Sequence, residues 1–334
     1  MTSEVLLLNK SMSADPEART KNAYLDAYLA PFREWLNRES VTEILVNRPG
    51  EIWIEDSCSP GMQRIESSVD DHLLQRLAEQ VARVSHQGIN REHPLLAATL
   101  PDGARIQLCG PPATRQHWAL AIRRHRLIDI GLESYDRGAI QAEQPRPLID
   151  PQLNPIGYLR EAIASRKTIL ISGGTSTGKT TFLNAMLREI PDDQRVVLVE
   201  DTAELKLHGA NGVGLLAVKG ELGEAKVSAN DVLQAALRLR PDRIVLGELR
   251  GTETVSFLRA INTGHPGSFS TVHANTPRGA LEQIALMSMQ SGIGLTRRET
   301  LDYAASVIDI VVQLDRKSGQ RGISAIAPTS ELID

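Results

Sequence analysis

The residues best suited to chemistry stand between positions 173 and 181. Gly173-Gly-Thr-Ser-Thr-Gly178-Lys179-Thr180 fits G-x-x-x-x-G-K-[ST]. It lies between an apolar strand-like run, Lys167–Ser172, and a helical run from Gly178 to Ile190, which is the context the motif requires. Glycines let the backbone fold tightly, so that N–H groups along Gly173, Gly174, Thr175, Ser176, Thr177 and Gly178 point at one anion. The start of the following helix adds its partial positive charge. Lys179 then reaches the β- and γ-phosphates of a nucleotide, the Thr180 hydroxyl completes a Mg²⁺ shell, and Thr181 follows it in the first helical turn.

Holding a nucleotide is not hydrolysing it; hydrolysis needs a group that orients water. Three carboxylates, Glu200, Asp201 and Glu204, follow the buried strand-like run Arg195–Glu200, and Glu248 closes another, Arg243–Glu248. Acids at the carboxyl ends of parallel strands face the crevice where such sheets bind ligands. Gly247 occupies the position before Glu248 where many phosphate-loop enzymes carry a second acid, which leaves Glu248 as the carboxylate of that strand. Two histidines, His265 and His273, flank a fourth strand-like run, Gly267–Val272. Their spacing fits no helical ligand pair and no cysteine accompanies them, so they do not read as a zinc site. His273 can serve as a γ-phosphate or interface contact, or as a polar cap at the strand end.

The elements that must position these groups follow from periodicity. From Pro155 onward apolar strand-like runs alternate with helical ones, which predicts a mainly parallel sheet covered by helices. Ser228 and Asp231 cap one of these helices and Pro241 ends it. The first part of the chain reads as α+β. A helix is predicted over 21–37 and another over 73–84. A hairpin turns at Asn47–Gly50, and two further strand pieces follow Pro101-Asp-Gly103. Gly131, Gly138, Pro145, Pro147, Pro151 and Pro155 interrupt the pattern between the two parts. The expected layout is a mobile N-terminus at 1–20, an α+β domain at 21–130, a linker at 131–154 and an α/β nucleotide-binding domain at 155–334.

Composition narrows the class. At about 150 residues per domain, 334 residues predict two domains. Thirty-seven basic and 41 acidic residues give a net charge of −4, which argues against a general cationic nucleic-acid coat. Aromatics at 4% leave few platforms for stacking single strands. Cys58 and Cys109 form no CxxC pair, and no apolar run reaches the ~18 residues of a membrane span, so a cytoplasmic protein with reduced thiols is expected.

Four boxes in order resemble the secretion traffic ATPases. They are the phosphate loop at 173–180, the acidic box Val199-Glu-Asp-Thr-Ala-Glu-Leu205, the segment Arg240–Gly251 around Glu248, and the histidine box Thr263–Asn275. Upstream, Val41–Glu51 and Pro101–Pro112 resemble the VirB/Trb conjugative branch that serves type IV secretion. The four-cysteine insert of type II secretion ATPases has no counterpart here.

The resemblance implies a RecA-like C-terminal domain and a smaller α+β N-terminal domain, with ATP and Mg²⁺ between them. It implies a homo-hexamer at the cytoplasmic face of the inner membrane, working with other secretion ATPases and inner-membrane components to move a protein or nucleoprotein substrate or to build a pilus. It also implies that Arg105 and Arg123 contact phosphate, and that one of Arg240, Arg243 and Arg250 can reach a neighbouring subunit's nucleotide. Catalysis is expected from Glu248 and Lys179, with Glu204, Glu200 and His273 as further candidates, and metal binding from Thr180 and Glu248. The rival readings are a RecA-like nucleic-acid motor and a type II secretion or type IV pilus assembly ATPase. Strong direct nucleic-acid binding is not expected.

Overall fold

The computed structural model describes residues 16–124, 131–136, 149–218 and 224–333. The expected layout of a mobile stretch, two domains and a linker therefore meets described residues only in part; most of 1–20 and half of 131–154 lie outside them.

The N-terminal unit opens with α1 (Pro16–Leu29), a 3-10 turn and the short α2 (Arg33–Asn37). Helix α1 thus begins five residues before the helix predicted from Lys21, inside the stretch expected to be mobile. Strands β1 (Val41–Val46), β2 (Glu51–Asp56) and β3 (Met62–Glu66) precede α3 (Asp71–Val84), and β4 (Leu95–Thr99), β5 (Arg105–Cys109) and β6 (Ala119–Arg123) complete the sheet. Its order is β3-β2-β1-β6-β5-β4, and the pairings along it are antiparallel. Helix α3 covers this sheet because Leu74, Leu77, Ala78 and Val81 recur at helical spacing, and Asp70 caps it by accepting from Leu73 N at 2.8 Å.

The C-terminal unit carries α4 (Pro155–Ala164), β7 (Ile169–Gly173), α5 (Lys179–Leu187), β8 (Val196–Glu200), β9 (Gly212–Leu216), α6 (Ala229–Arg238) and β10 (Arg243–Leu246). It continues with α7 (Glu253–Asn262), β11 (Phe269–Val272), α8 (Pro277–Gln290), α9 (Arg297–Val307), β12 (Ile310–Lys317) and β13 (Gln320–Pro328). The sheet order is β13-β12-β7-β11-β10-β8-β9, parallel throughout except for the β12–β13 hairpin. The predicted capping box is present: Ser228 Oγ accepts from Asp231 N, and the Asp231 carboxylate accepts from Ser228 N.

The two units share one apolar core. Leu45, Trp53, Cys109 and Ala121 belong to the same cluster as Val213, Leu215, Leu233 and Ala236. A polar seam runs beside it. Arg195, fully buried, donates to Asn47 Oδ1 at 2.6 Å and to Leu239 O at 2.7 Å. Arg240 bonds Glu55 and, at 2.7 Å, Asp242. Residues 113–115 also lie along β9: Leu216 N donates to Ala113 O at 2.8 Å and Arg115 N to Gly214 O at 3.4 Å.

One buried carboxylate makes this fold pH-sensitive. Glu43 on β1 is 4% exposed, one of its oxygens has no hydrogen-bond partner, and the other lies 3.4 Å from Arg123 Nε. Burial pushes its carboxyl up to about 7, against the pull of the Arg123 charge. The folded state therefore holds this proton more tightly than the unfolded chain. The stability it confers is complete below about pH 4.5 and is lost as pH rises through 7, a change of about 3 kcal/mol. Glu43→Gln is expected to remove that slope and to exceed the wild type in stability at pH 8. Urea denaturation at pH 5 and pH 8 measures it; parallel slopes for the two proteins would show that Glu43 ionises as an ordinary glutamate.

Candidate nucleotide site

Strand β7 ends at Gly173 and α5 begins at Lys179, so residues 174–178 form the turn between them. Two glycines explain its shape. A Cβ on Gly173 would stand 2.5 Å from Thr177 Oγ1 and 3.0 Å from Leu314 O, and Gly178 has φ +91°. Ser176 also adopts positive φ, at 62°. Thr177 Oγ1 donates to Gly174 O at 2.9 Å and fastens the turn across its base.

Lys179 is buried, and its Nζ donates to Gly173 O at 2.9 Å and Gly174 O at 3.2 Å. Burial lowers the pKa of its ammonium; the Glu248 charge opposes that shift and the Arg250 charge adds to it. The Thr180 hydroxyl has no hydrogen-bond partner among the described residues. Strands β7, β11, β10 and β8 are parallel, so their carboxyl ends deliver Gly173, His273, Glu248 and Glu200 to one edge. Around them is a cleft of about 400 Å³ lined by Ser176–Thr181, Glu200–Thr202, Glu204, Gly247, Glu248, Arg250, His273 and Arg321.

His273 connects the loop to Glu248. Its Nδ1 lies 3.2 Å from Lys179 Nζ and its Nε2 lies 2.7 Å from Glu248 Oε1. The second approach is close but off the line of a hydrogen bond, so Glu248 Oε1 is buried without a hydrogen-bond partner. Glu248 Oε2 accepts from Arg250 Nε at 2.5 Å, and Arg250 also reaches Asp201 at 3.4 Å.

Glu200 is engaged differently. Its Oε1 accepts from Glu204 N at 2.9 Å and Leu205 N at 2.8 Å, and its other oxygen bonds Arg115. Three donors engage it, so both of its oxygens are already spent on holding the acidic box and Arg115 in place. The Glu204 side chain is exposed on the rim.

The structure does not bring every expected residue here. Arg105 and Arg123 line a second cleft, with Glu43, Gln107, Arg238 and Arg240, and neither lines the phosphate-loop cleft of its own chain. Arg124 donates to Arg38 O at 2.6 Å and Val41 O at 3.2 Å, which holds it against the chain before β1; Arg126 lies outside the described residues. Arg243 cannot reach a neighbour, because it is fully buried and bonded to Gly267 O at 3.0 Å and Ile163 O at 2.7 Å. Arg240 is held in the seam described above, and of the three only Arg250 faces the cleft. His265 Nδ1 lies 2.9 Å from Ala260 O and caps a helix end.

Two contributors were not anticipated. Arg115 comes from the loop before β6, 85 positions from Glu200; nothing local in sequence joins them. Arg321 comes from β13.

A phosphate loop at the carboxyl edge of a mainly parallel sheet, faced by acids from neighbouring strands, defines a P-loop nucleotide-binding protein. The chain belongs to the type II/IV secretion system protein family, whose pattern matches residues 150–323. It is 40% identical over 327 residues to the type IV secretion system protein PtlH of Bordetella pertussis, covering 91% of this chain and 94% of that protein. It is 36% identical over 327 residues to the type IV secretion system protein VirB11 of Bartonella quintana, covering 89% and 91%. The crystal structure of the VirB11 ATPase from the Brucella suis type IV secretion system, in complex with sulphate, superposes with a TM-score of 0.84 at 30% identity, covering 96% of this chain and 98% of that one. Among the described residues, no helix is long and apolar enough to cross a membrane.

Proposed function

We propose that this chain is an ATPase of a type IV secretion machine, and that it converts hydrolysis of Mg²⁺-bound ATP into movement of its N-terminal unit. The observation that carries the reading is the convergence of Lys179, His273 and the partnerless buried oxygen of Glu248 beside a complete phosphate loop.

The residues present fit a nucleotide-borne Mg²⁺. No group of three His, Cys, Asp or Glu among the described residues could hold a metal by itself. The Thr180 hydroxyl and Glu248 instead offer a partial shell, which suits an ion carried largely by phosphates and water. Bound there, Mg²⁺ neutralises charge on the phosphates. Lys179 turns from the loop carbonyls to the β- and γ-phosphates. Glu248 Oε1 accepts a hydrogen bond from the attacking water, and Arg250 holds the other oxygen so that the carboxylate keeps its aim. His273, between Lys179 and Glu248, links phosphate occupancy to the position of that acid. Glu200, whose oxygens hold both the acidic box and Arg115, passes a shift in the box to the N-terminal unit.

The reading includes a homo-hexameric ring, peripheral at the cytoplasmic face of the inner membrane. In that ring Arg105 and Arg123 are assigned to a neighbouring protomer's nucleotide. The ring would act with other secretion ATPases and inner-membrane components on a protein or nucleoprotein substrate. Purified full-length protein is expected to release phosphate from ATP in Mg²⁺ and to lose at least ~10-fold of that rate in excess EDTA. A rate indifferent to EDTA, or none above a buffer blank, would reject the mechanism. Native mass with and without ATP tests the ring.

A further inference from the structure

The catalytic groups lie to one side of the phosphate loop. Glu248, His273 and Glu200 follow β10, β11 and β8, whereas β12 and β13 lie on the other side of β7. Among the described residues, one from that other side lines the cleft: Arg321, the second residue of β13.

It lies beside the phosphate loop. A Cβ built on Gly178 would stand 3.0 Å from Arg321 Cδ, 3.7 Å from Nε and 3.8 Å from Nη1, so the side chain lies against the last glycine of the phosphate loop. The hairpin that carries it is tight. Ser318 and Gly319, both with positive φ, form the two-residue turn between β12 and β13. This geometry delivers Arg321 from a regular, hydrogen-bonded element.

Its charge is unmet. The other two cations lining the cleft are engaged: Lys179 with loop carbonyls and His273, Arg250 with Glu248 and Asp201. The Arg321 guanidinium has no hydrogen bond or ion pair among the described residues. It also stands directly opposite Arg316 in the β12–β13 register. Like charges across an antiparallel pair repel, and an anion beside the hairpin would relieve that repulsion.

A nucleotide whose terminal phosphate faces Glu248 extends its nucleoside end away from β10, across Gly178 and toward β13. We propose that Arg321 is a nucleotide-binding residue of this chain, its guanidinium contacting the α-phosphate of ADP and ATP alike. The inference rests on the nucleotide site proposed above and adds a cation from outside the four sequence boxes, supplied by the same chain that supplies the phosphate loop.

The test uses full-length protein and measures Kd for ADP and for the non-hydrolysable analogue AMP-PNP in the wild type, Arg321→Ala, Arg321→Lys and Lys179→Ala. A charge-assisted contact of this kind predicts that Arg321→Ala raises Kd about tenfold for both nucleotides by the same factor. Arg321→Lys should recover much of the loss, because it restores the charge, and rising salt should narrow the gap between wild type and Arg321→Ala. An unchanged Kd for both nucleotides in Arg321→Ala overturns the proposal. So does a loss confined to AMP-PNP, which would place the guanidinium at the terminal phosphate. Lys179→Ala separates the two levels of the argument. If it loses binding while Arg321→Ala does not, the role of Arg321 fails alone; if it too binds normally, the nucleotide site itself is wrong. Arg321 is exposed, so its removal should leave the thermal midpoint of the nucleotide-free protein unchanged or slightly raised.

Discussion

Lys179→Ala is expected to weaken ATP and ADP binding by about 10²–10³-fold and to reduce ATP hydrolysis to the buffer rate. The magnitude follows from losing a buried cation that makes charge-assisted bonds to two phosphates, each worth roughly 1.5–3 kcal/mol. In the structure its ammonium is held by two carbonyls and His273, and burial already works against its charge. Anionic phosphate supplies the compensation that uncharged carbonyls cannot. The fold should survive, because alanine is the best helix former and Lys179 opens α5. Titration with a fluorescent nucleotide and a coupled phosphate assay measure both effects. Hydrolysis at the wild-type rate would show that the loop does not hold the reacting nucleotide.

Glu248→Gln should separate binding from chemistry. The substitution keeps the shape and removes the charge, so nucleotide Kd should change by no more than about threefold while turnover falls about 10²–10⁴-fold, the usual worth of a positioned general base. The structure favours Glu248 for this role over the other carboxylates. Glu200 has its oxygens committed to two backbone N–H groups and Arg115, and the Glu204 side chain is exposed on the rim. Glu248 alone among the three keeps a buried oxygen without a hydrogen-bond partner. Single-turnover measurements on Glu248→Gln and Glu204→Gln decide between them. A large loss in Glu204→Gln with Glu248→Gln near wild type would exchange their roles.

Much of this site could be read from local sequence, for a physical reason. The phosphate loop is a continuous stretch whose function is carried by its own backbone, so residue types at fixed spacing suffice. Glu200, Glu248 and His273 could be placed because each follows an apolar run, and parallel strands bring their carboxyl ends to one edge. What sequence could not show was which oxygens are already in use. Glu200 and Glu248 look alike as strand-ending acids, and only the folded chain shows both Glu200 oxygens engaged, one of them by Arg115 from 85 residues away.

The clustered arginines were misleading in the same way. Arg243 sits two residues from Pro241 in a charged segment, yet it lies fully buried among carbonyls. Arg105 and Arg123 share a cleft, but a different one. The elements after residue 276 carry none of the four boxes, so Arg321 does not stand out in the sequence. A signal was there: Ser318-Gly319 between two runs rich in Val, Ile and Ala is a hairpin turn.

The attachment of residues 113–115 to β9 bears on handling the protein in pieces. Strand β9 is the last strand of the seven-stranded sheet, so its outer edge would otherwise present unpaired backbone groups along the apolar sequence Gly-Val-Gly-Leu-Leu. Edges of that kind recruit strands from other molecules and seed aggregation. The N-terminal unit covers part of this one through Ala113 O and Arg115 N, and it buries Val213 and Leu215 in the shared core. A fragment cut near residue 150 would keep every residue of the phosphate loop but expose a sticky margin, so solubility, and not only coupling, ties the nucleotide-binding half to its neighbour.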